Sequence, residues 1–253
     1  MAEFWGLIGH VVRKADIILL VIDARMPDMS RNFEIEELVR EYDKKLVYVF
    51  NKIDLVDRKQ IQSIKKKFVG EDMFFVSGVN NMGMSKLKEG LFIIASRMGI
   101  ELPHVGVVGY PNVGKSAIIN AFSKRAKTNV SSHAGTTRGI QWVKAGKIRI
   151  MDSPGVIPSR NNSEAEMGVL GARDPERLKN PDLAALEIIR ILLEKNKKRL
   201  ESFYEIHVKD ESGEEIIEMI GKSRGFLKKG GVVNENRTVV QIIHDWQKGN
   251  LRV

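Results

Sequence analysis

One stretch decides the fold: Gly109-Tyr110-Pro111-Asn112-Val113-Gly114-Lys115-Ser116. It fits the pattern G-x-x-x-x-G-K-[ST], and it lies between a predicted strand at 104–108 and a predicted helix that includes 118–122. The glycines allow backbone N–H groups to curl around a phosphate, and the start of the helix adds its positive dipole end. Lys115 is then expected to reach the β- and γ-phosphates, and the Ser116 hydroxyl to bind Mg²⁺. The stretch therefore predicts a nucleotide-binding domain.

The surrounding chain alternates continuous apolar runs with segments of helical period. The apolar runs at 17–22, 46–50 and 73–76 are predicted to be strands of one sheet. Continuous apolar strands separated by helices favour an α/β fold with a mostly parallel sheet flanked by helices. After about residue 154 the strand patterns stop and helical spacing takes over. We therefore predict a nucleotide-binding domain at 1–175 and a small helical domain at 176–253, which we expect to bind RNA.

A second motif, directly after the predicted strand at 46–50, predicts which base is bound. The Asp54 carboxylate can accept hydrogen bonds from guanine N1–H and N2–H₂, a donor pair that adenine lacks. Asn51 can address the O6/N7 edge of the base, and the stem of Lys52 can lie along its face. Ser77 and Gly78 follow the next predicted strand and can offer a backbone N–H to guanine O6. Together with the phosphate loop, these residues predict GTP or GDP as the ligand.

Two further segments are predicted to sense the γ-phosphate and Mg²⁺. Asp152 can hold Mg²⁺ through water, and the N–H of Gly155 can sense the γ-phosphate. Thr136 and Thr137 lie between the phosphate loop and this site and offer hydroxyls for Mg²⁺. The complete predicted nucleotide-binding set is Asn51, Lys52, Asp54, Ser77, Gly78, Asn112, Val113, Gly114, Lys115, Ser116, Ala117, Thr136, Thr137, Asp152 and Gly155.

Composition limits the remaining function classes. The chain has 41 Lys and Arg against 32 Asp and Glu, a net charge of +9 that suits a polyanionic partner. It contains no cysteine, which excludes disulfides, thiol catalysis and cysteine-bound zinc. The longest apolar run, 17–22, is far too short for a membrane span, and the N-terminus has no signal-peptide pattern. We therefore expect a cytoplasmic protein whose partner is RNA, with no role for DNA or a membrane.

We call Asn51, Lys52 and Asp54 the base reader, and residues 109–116 the phosphate loop. The order of these motifs differs from that of an ordinary GTPase, because the base reader precedes the phosphate loop. The chain resembles circularly permuted P-loop GTPases of the YlqF/RbgA family and their archaeal and eukaryotic relatives. The resemblance includes Asp23-Ala24-Arg25 after the first strand and the tail segment 220–231. It implies a factor for large ribosomal subunit assembly, whose C-terminal helical domain contacts rRNA and which is a monomer away from the ribosome. It also favours Thr137 over Thr136 as the Mg²⁺ ligand, with Lys115 and Gly155 as the other catalytic residues.

The resemblance also bears on hydrolysis. Asn112 matches a residue that binds K⁺ beside the phosphates in related families, where positive charge stabilises the transition state. Val156 stands where many GTPases carry a water-orienting glutamine, so another group, supplied by a partner, is expected to complete the site. His10 is interpreted as a residue of the helix before the first strand, not as a catalytic histidine. Val156 leaves open an alternative, an RNA-binding module that binds GTP with negligible turnover. The base reader argues against a third class, a small-molecule kinase.

Overall fold

The computed structural model describes residues 2–124, 142–153, 155, 157 and 163–253. The chain divides into two units, Met1–Ser159 and Arg160–Val253. The domain boundary predicted between 175 and 176 therefore falls inside the second unit, because the short helix at Glu164–Val169 packs with the helices that follow it.

The first unit is built on a six-stranded sheet in the order β3-β2-β1-β4-β6-β5. Its strands are β1 (Ile17–Asp23), β2 (Lys45–Asn51), β3 (Met73–Phe75), β4 (His104–Gly109), β5 (Trp142–Ala145) and β6 (Ile148–Asp152). All neighbours are parallel except β5, which runs antiparallel to β6. The predicted mostly parallel sheet is confirmed, with the short strand β5 as an element that the sequence patterns did not predict.

Helices cover the sheet because its central strands have no polar face. All seven residues of β1 are buried, as expected for a strand with parallel neighbours on both sides. The helices of this unit are α1 (Ala2–Lys14), α2 (Pro27–Ser30), α3 (Phe33–Glu41), α4 (Arg58–Lys67), α5 (Met84–Arg97) and α6 (Lys115–Lys124). His10 lies exposed on α1, the helix that precedes β1, as predicted.

The strand order brings the loops of the site to one edge of the sheet. From β1 the chain proceeds outward through β2 to β3, and then returns to place β4 on the other side of β1. In open parallel sheets, ligands bind at the carboxyl ends of the strands where the order reverses. The loops after β1, β2 and β4 meet at this reversal, so the base reader and the phosphate loop become neighbours.

The second unit is helical, as predicted. It contains α7 (Glu164–Val169), α8 (Pro181–Tyr204), α9 (Gly213–Ser223) and α10 (Glu235–Gln247), with a short 3-10 helix at Pro175–Arg177. Helix α8 is kinked at Asn196, whose side chain accepts a hydrogen bond from the N–H of Arg199 at 3.2 Å. Trp246 is fully buried and donates its indole N–H to the Val169 carbonyl at 2.9 Å, so it is a core residue of this unit.

Among the described residues, no helix has the length and apolar character required to cross a membrane.

Candidate nucleotide-binding site

The phosphate loop connects β4 to α6 through three residues with positive φ. These are Gly109 at +143°, Asn112 at +58° and Gly114 at +95°. Asparagine tolerates the left-handed region better than most residues, so the backbone alone gives a reason for Asn112. Lys115, only 7% exposed, donates to the carbonyls of Gly109 at 3.1 Å and Tyr110 at 2.7 Å. The loop thus curls around its own lysine.

The Asn51 side chain ties this loop to the two base-reading segments. Its Nδ2 donates to the Val113 carbonyl at 2.8 Å, and its Oδ1 accepts from the N–H of Gly78 at 3.0 Å. Asn51 is buried at the end of β2, where it pairs in register with the last residue of β1. The sequence predicted a contact with the base edge for this amide. In the structure it holds the phosphate loop and the guanine loop (Ser77 and Gly78) together, and its contact with the base stays a prediction.

Glycines allow these segments to approach one another closely. A Cβ on Gly114 would lie 2.1 Å from Asn51 Nδ2, and one on Gly78 would lie 2.9 Å from the Ala117 carbonyl carbon. Neither position has room for a side chain, and Gly114 also has a backbone conformation that L-residues rarely adopt. Gly114 of the phosphate loop is therefore needed for packing against Asn51 of the base reader as well as for the curvature of the loop.

A buried charge network fixes Lys52 of the base reader. Its ammonium lies 2.8 Å from Asp23 Oδ2. Arg25 binds the same carboxylate through both oxygens, with Nε at 3.1 Å from Oδ1 and Nη2 at 2.8 Å from Oδ2. Asp23 and Arg25 are each 1% exposed, so the pair is removed from solvent. Lys52 has a φ of +64°, which starts the 3-10 turn at Ile53–Leu55.

The network keeps its carboxylate ionised. Burial alone raises the pKa of Asp23, but Arg25 and Lys52 outweigh it and hold that pKa well below the ordinary value of an aspartate. Burial lowers the pKa of Lys52, and the Asp23 carboxylate opposes that shift. Asp23 therefore compensates the buried positive charges of Arg25 and Lys52. The position of the Lys52 side chain depends on this network of three charged groups.

The other predicted guanine contacts lie at the same edge. Asp54 is half-buried on the 3-10 turn Ile53–Leu55, close enough to Lys52 to act on its pKa. Ser77 is buried, and its hydroxyl accepts a hydrogen bond from the N–H of Asn80 at 3.2 Å. That bond holds the turn that presents Gly78 to Asn51. The structure thus brings the predicted base-reading residues together, and it gives Ser77 a turn-stabilising contact.

The end of β6 approaches the phosphate loop. Ser153 is buried and donates its hydroxyl to the Val107 carbonyl at 2.6 Å. A Cβ on Gly155 would lie 2.7 Å from the Pro111 Cα and 3.0 Å from Lys115 Nζ. Gly155 therefore lines the same small space as the loop lysine, where a side chain would intrude. This cradle fits a phosphate group, which needs backbone donors and a cation at close range.

Part of the predicted Mg²⁺ and catalytic set cannot be placed. Thr136, Thr137 and Val156 lie outside the described residues, as does the side chain of Asp152. Ser116 is exposed in the first turn of α6, next to Lys115. A hydroxyl at this position is an oxygen donor of the kind that Mg²⁺ prefers. The predicted Mg²⁺ and K⁺ sites remain predictions.

The residues that sequence reasoning missed are Asn51 as a bridge and Asp23 with Arg25 as a support for Lys52. Asn51 was identified as a ligand residue, but a pattern of adjacent residues carries no signal for a bond to Val113. Asp23 and Arg25 were noted only as part of a family resemblance. The signal available for them was an acidic and a basic residue directly after a fully apolar strand.

Two family models match the chain. A model described as RsgA GTPase matches residues 8–159, more than half of the chain. A model described as 50S ribosome-binding GTPase matches residues 104–222.

Similar proteins occur in archaea and eukaryotes. An uncharacterized GTP-binding protein of Methanocaldococcus jannaschii is 39% identical over 97% of this chain and 65% of its own length. The nuclear GTP-binding protein NUG1 of Saccharomyces cerevisiae is 30% identical over 95% of this chain and 54% of its own length. The chain therefore spans between about half and two thirds of the length of these relatives.

Among solved structures, the crystal structure of GNP-bound YlqF from T. maritima matches with a TM-score of 0.64. The match covers 99% of this chain and 95% of that one at 22% sequence identity. At this identity the likeness concerns the fold, and it confirms the predicted fold, that of a circularly permuted P-loop GTPase.

Proposed function

The chain belongs to the RsgA family of GTPases, and from that premise we propose that it binds and hydrolyses GTP during assembly of the large ribosomal subunit. The observation that carries the nucleotide part is the Asn51 amide, which joins the Val113 carbonyl to the Gly78 N–H. One buried side chain thereby sets the spacing between the loop that would hold the phosphates and the loops that would hold the base.

Each element has a defined part in this proposal. The phosphate loop, with Lys115, holds the β- and γ-phosphates, and Ser116 with Asp152 and Thr137 holds Mg²⁺, which neutralises charge on the phosphates when it is bound. Gly155 lies against Pro111 and Lys115, so its backbone can contact the γ-phosphate without a side chain in the way.

Guanine selectivity is assigned to Asp54. Its carboxylate accepts two hydrogen bonds from guanine, each contributing about 1.5–3 kcal/mol. Asp54→Asn is therefore expected to weaken GTP binding by about 10²- to 10⁴-fold. The same variant should gain affinity for XTP, because the asparagine amide can donate to the C2 carbonyl of xanthine and accept from N1–H. Titration of both proteins with GTP, XTP and ATP tests this. Unchanged GTP affinity in the variant would contradict the guanine assignment.

The K⁺ role of Asn112 can be separated from its backbone role. Asn112 is exposed and has a φ of +58°, which glycine adopts without strain. Asn112→Gly thus keeps the loop conformation and removes only the amide. If the amide binds K⁺, hydrolysis by the parent chain should be faster in KCl than in NaCl, and the variant should lose that difference. An equal K⁺ response in both proteins would remove Asn112 from the K⁺ site.

The ribosomal part of the proposal rests on the match to a 50S ribosome-binding GTPase model and on the net charge of +9. We infer that rRNA of the large subunit is the partner, contacted by the second unit. Residues that follow Gly155 lead along the chain into that unit. A change in the γ-phosphate site can therefore reach the helical unit through a short covalent path, which would make rRNA binding depend on GTP.

The test is GTP turnover in KCl with and without purified large ribosomal subunits. Unstimulated GTPases turn over at about 10⁻⁴–10⁻² s⁻¹, and subunits should raise the rate clearly above that range. A flat rate with intact GTP binding would contradict stimulated hydrolysis and would favour the alternative, a GTP-liganded RNA-binding module. Small ribosomal subunits at equal concentration provide the control for nonspecific polyanion effects.

A further inference from the structure

A short hairpin projects from the second unit between α9 and α10. We call residues 226–233 the basic hairpin. Leu227 and Val233 form an antiparallel bridge, and the N–H of Lys228 donates to the Val232 carbonyl at 2.8 Å. The reversal at its tip uses Gly230 and Gly231, with φ of +89° and +80°. A Cβ on either glycine would meet nothing within 4 Å, so these glycines serve the turn and not internal packing.

The base of the hairpin is held firmly. The N–H of Phe226 donates to the Gly221 carbonyl at 2.8 Å, and the N–H of Asn234 donates to the Phe226 carbonyl at 2.7 Å. Val233 is buried, and a Cβ on Gly221 would lie 2.3 Å from its Cγ1. The hairpin is therefore anchored against α9 at one end while its tip extends into solvent.

The tip combines exposed apolar and basic side chains. Leu227 is 47% exposed and Val232 is 65% exposed, although both are large aliphatic residues. Lys228 and Lys229 between them are also exposed.

Of the basic residues around the hairpin, Lys222 is paired with Glu218 at 2.7 Å, but most of the others have no ion-pair partner among the described residues. Residues 222–237 contain five Lys and Arg and one acidic residue, Glu235. Lys228, Lys229 and Arg237 form no ion pair in the parts of the chain that the structure describes. The Arg237 guanidinium lies over the ring of Phe226, 4.4 Å from its centroid. A guanidinium over a ring face keeps its N–H groups pointing outward in its own plane, so they remain available to an anion.

We propose that the basic hairpin is an RNA-contacting element. Lys228 and Lys229 contact backbone phosphates, Arg237 supports them from its stacked position, and Leu227 with Val232 packs against sugars or bases beside the contacted strand. RNA fits better than an acidic protein because it presents phosphates and flat apolar base faces at the same place. This inference rests on the proposed rRNA-binding function and assigns it to the eight residues of the basic hairpin together with Arg237.

The charge test compares three proteins. The parent chain, K228Q/K229Q and the control K59Q/K66Q are titrated into protein-free rRNA of the large subunit over a range of KCl concentrations. Lys59 and Lys66 are exposed on α4 in the first unit, so the control makes the same charge change elsewhere. GTP binding should be equal in all three, which shows that the variants are folded.

The expected effect follows from counterion release. Each lost phosphate contact lowers the slope of log affinity against log salt by about 0.7–0.9, so K228Q/K229Q should lose about 1.4–1.8. At 0.1 M salt this corresponds to about 25- to 60-fold weaker binding, if the electrostatic part vanishes near 1 M. A fourth protein, L227S, should weaken binding without changing the slope, because it removes apolar contact and no charge.

Each outcome has a distinct meaning. Parent-like affinity and slope in K228Q/K229Q would overturn the hairpin assignment while leaving the proposed function in place. A parent chain that binds neither rRNA nor intact subunits would overturn both. If K228Q/K229Q weakens binding to intact subunits and the parent chain does not bind protein-free rRNA, the hairpin contacts a ribosomal protein, and the RNA inference is overturned.

Discussion

Removing Arg25 from the charge network behind the base reader should destabilise the first unit strongly. Arg25→Met keeps much of the side-chain volume but leaves the Asp23 carboxylate, 1% exposed, with Lys52 as its remaining cation in the network. Removing one partner of a buried ion pair costs about 3–5 kcal/mol, because an uncompensated charge stays buried. Since Lys52 still lies 2.8 Å from the carboxylate, we expect the lower end of that range, about 3 kcal/mol.

The loss should depend on pH in a defined direction. In the parent chain the pKa of Asp23 lies well below its unfolded value of about 3.9. The carboxylate therefore contributes its full stabilisation above about pH 4, and that contribution is lost as the pH falls toward the folded pKa. At pH 3 the loss is about 1.3 kcal/mol. In Arg25→Met the pKa of Asp23 is lowered less, so the gap between the two proteins should narrow by up to about 1 kcal/mol between pH 7 and pH 3.

Urea unfolding followed by circular dichroism at pH 7 and pH 3 measures both effects. Lys45→Met is the matched control, because Lys45 lies in β2 and pairs with Asp72 at 2.6 Å with both side chains more than a third exposed. That surface pair should contribute less than about 1 kcal/mol. The reasoning fails if Arg25→Met costs no more than this control, or if its deficit is the same at both pH values.

Three further substitutions test the contacts within each unit. Gly114→Ala should weaken GTP binding at least about tenfold, because its Cβ would lie 2.1 Å from Asn51 Nδ2 and φ is +95°. Gly70→Ala, with φ of +89° and nothing within 4 Å, controls for backbone strain in the same titration. Asn51→Ala leaves two buried backbone groups without their partner and should cost about 2–4 kcal/mol in urea unfolding; a loss below 1 kcal/mol would contradict the bridging role. Tyr204→Phe removes a 3.2 Å hydrogen bond to Asp245 and should cost about 1.5 kcal/mol, measured by thermal unfolding.

Much of the fold was predictable because its signals are local. The run at 17–22 is apolar on both faces, and only a central parallel strand or a buried helix accommodates that pattern. The glycines and Lys115 of the phosphate loop then fix a strand before them and a helix after them. Strand β5 was not predicted, because four residues, Trp142–Ala145 at the edge of the sheet, are too few to show a strand pattern.

The domain boundary was harder to predict for a related reason. Helix α7 has six residues, too few for a clear helical period, and its place in the second unit follows from packing against α8. Packing between helices is set by the tertiary structure, which a pattern of adjacent residues does not record. The longer helix α8 shows the opposite case, since four of its residues at helical spacing, Ala185, Ile188, Ile189 and Leu192, are buried.

The site was predictable in its composition but not in its contacts. Asn51, Lys52 and Asp54 were recognised as base-reading residues because their chemistry matches guanine. Their supports could not be recognised, since Asp23 lies 29 residues before Lys52, and Val113 lies 62 residues after Asn51. Only the strand order β2-β1-β4 brings these positions together.

That dependence on strand order explains how the permuted motif order can preserve the site. The Lys52 bond to Asp23 joins the ends of the neighbouring strands β2 and β1, and the Asn51 bond to Val113 joins the end of β2 to the loop after β4. Both bonds therefore need the strand order of the sheet and not a particular order of the motifs along the chain. What the permutation changes is the segment that follows Gly155. In this order the chain continues from the predicted γ-phosphate contact into the helical unit that carries the basic hairpin. If rRNA binding depends on GTP, Gly155→Ala should therefore uncouple the two, because its Cβ would lie 3.0 Å from Lys115 Nζ. The variant should bind rRNA equally with GTP and GDP, whereas a parent-like difference between the two nucleotides would show that the signal takes another route.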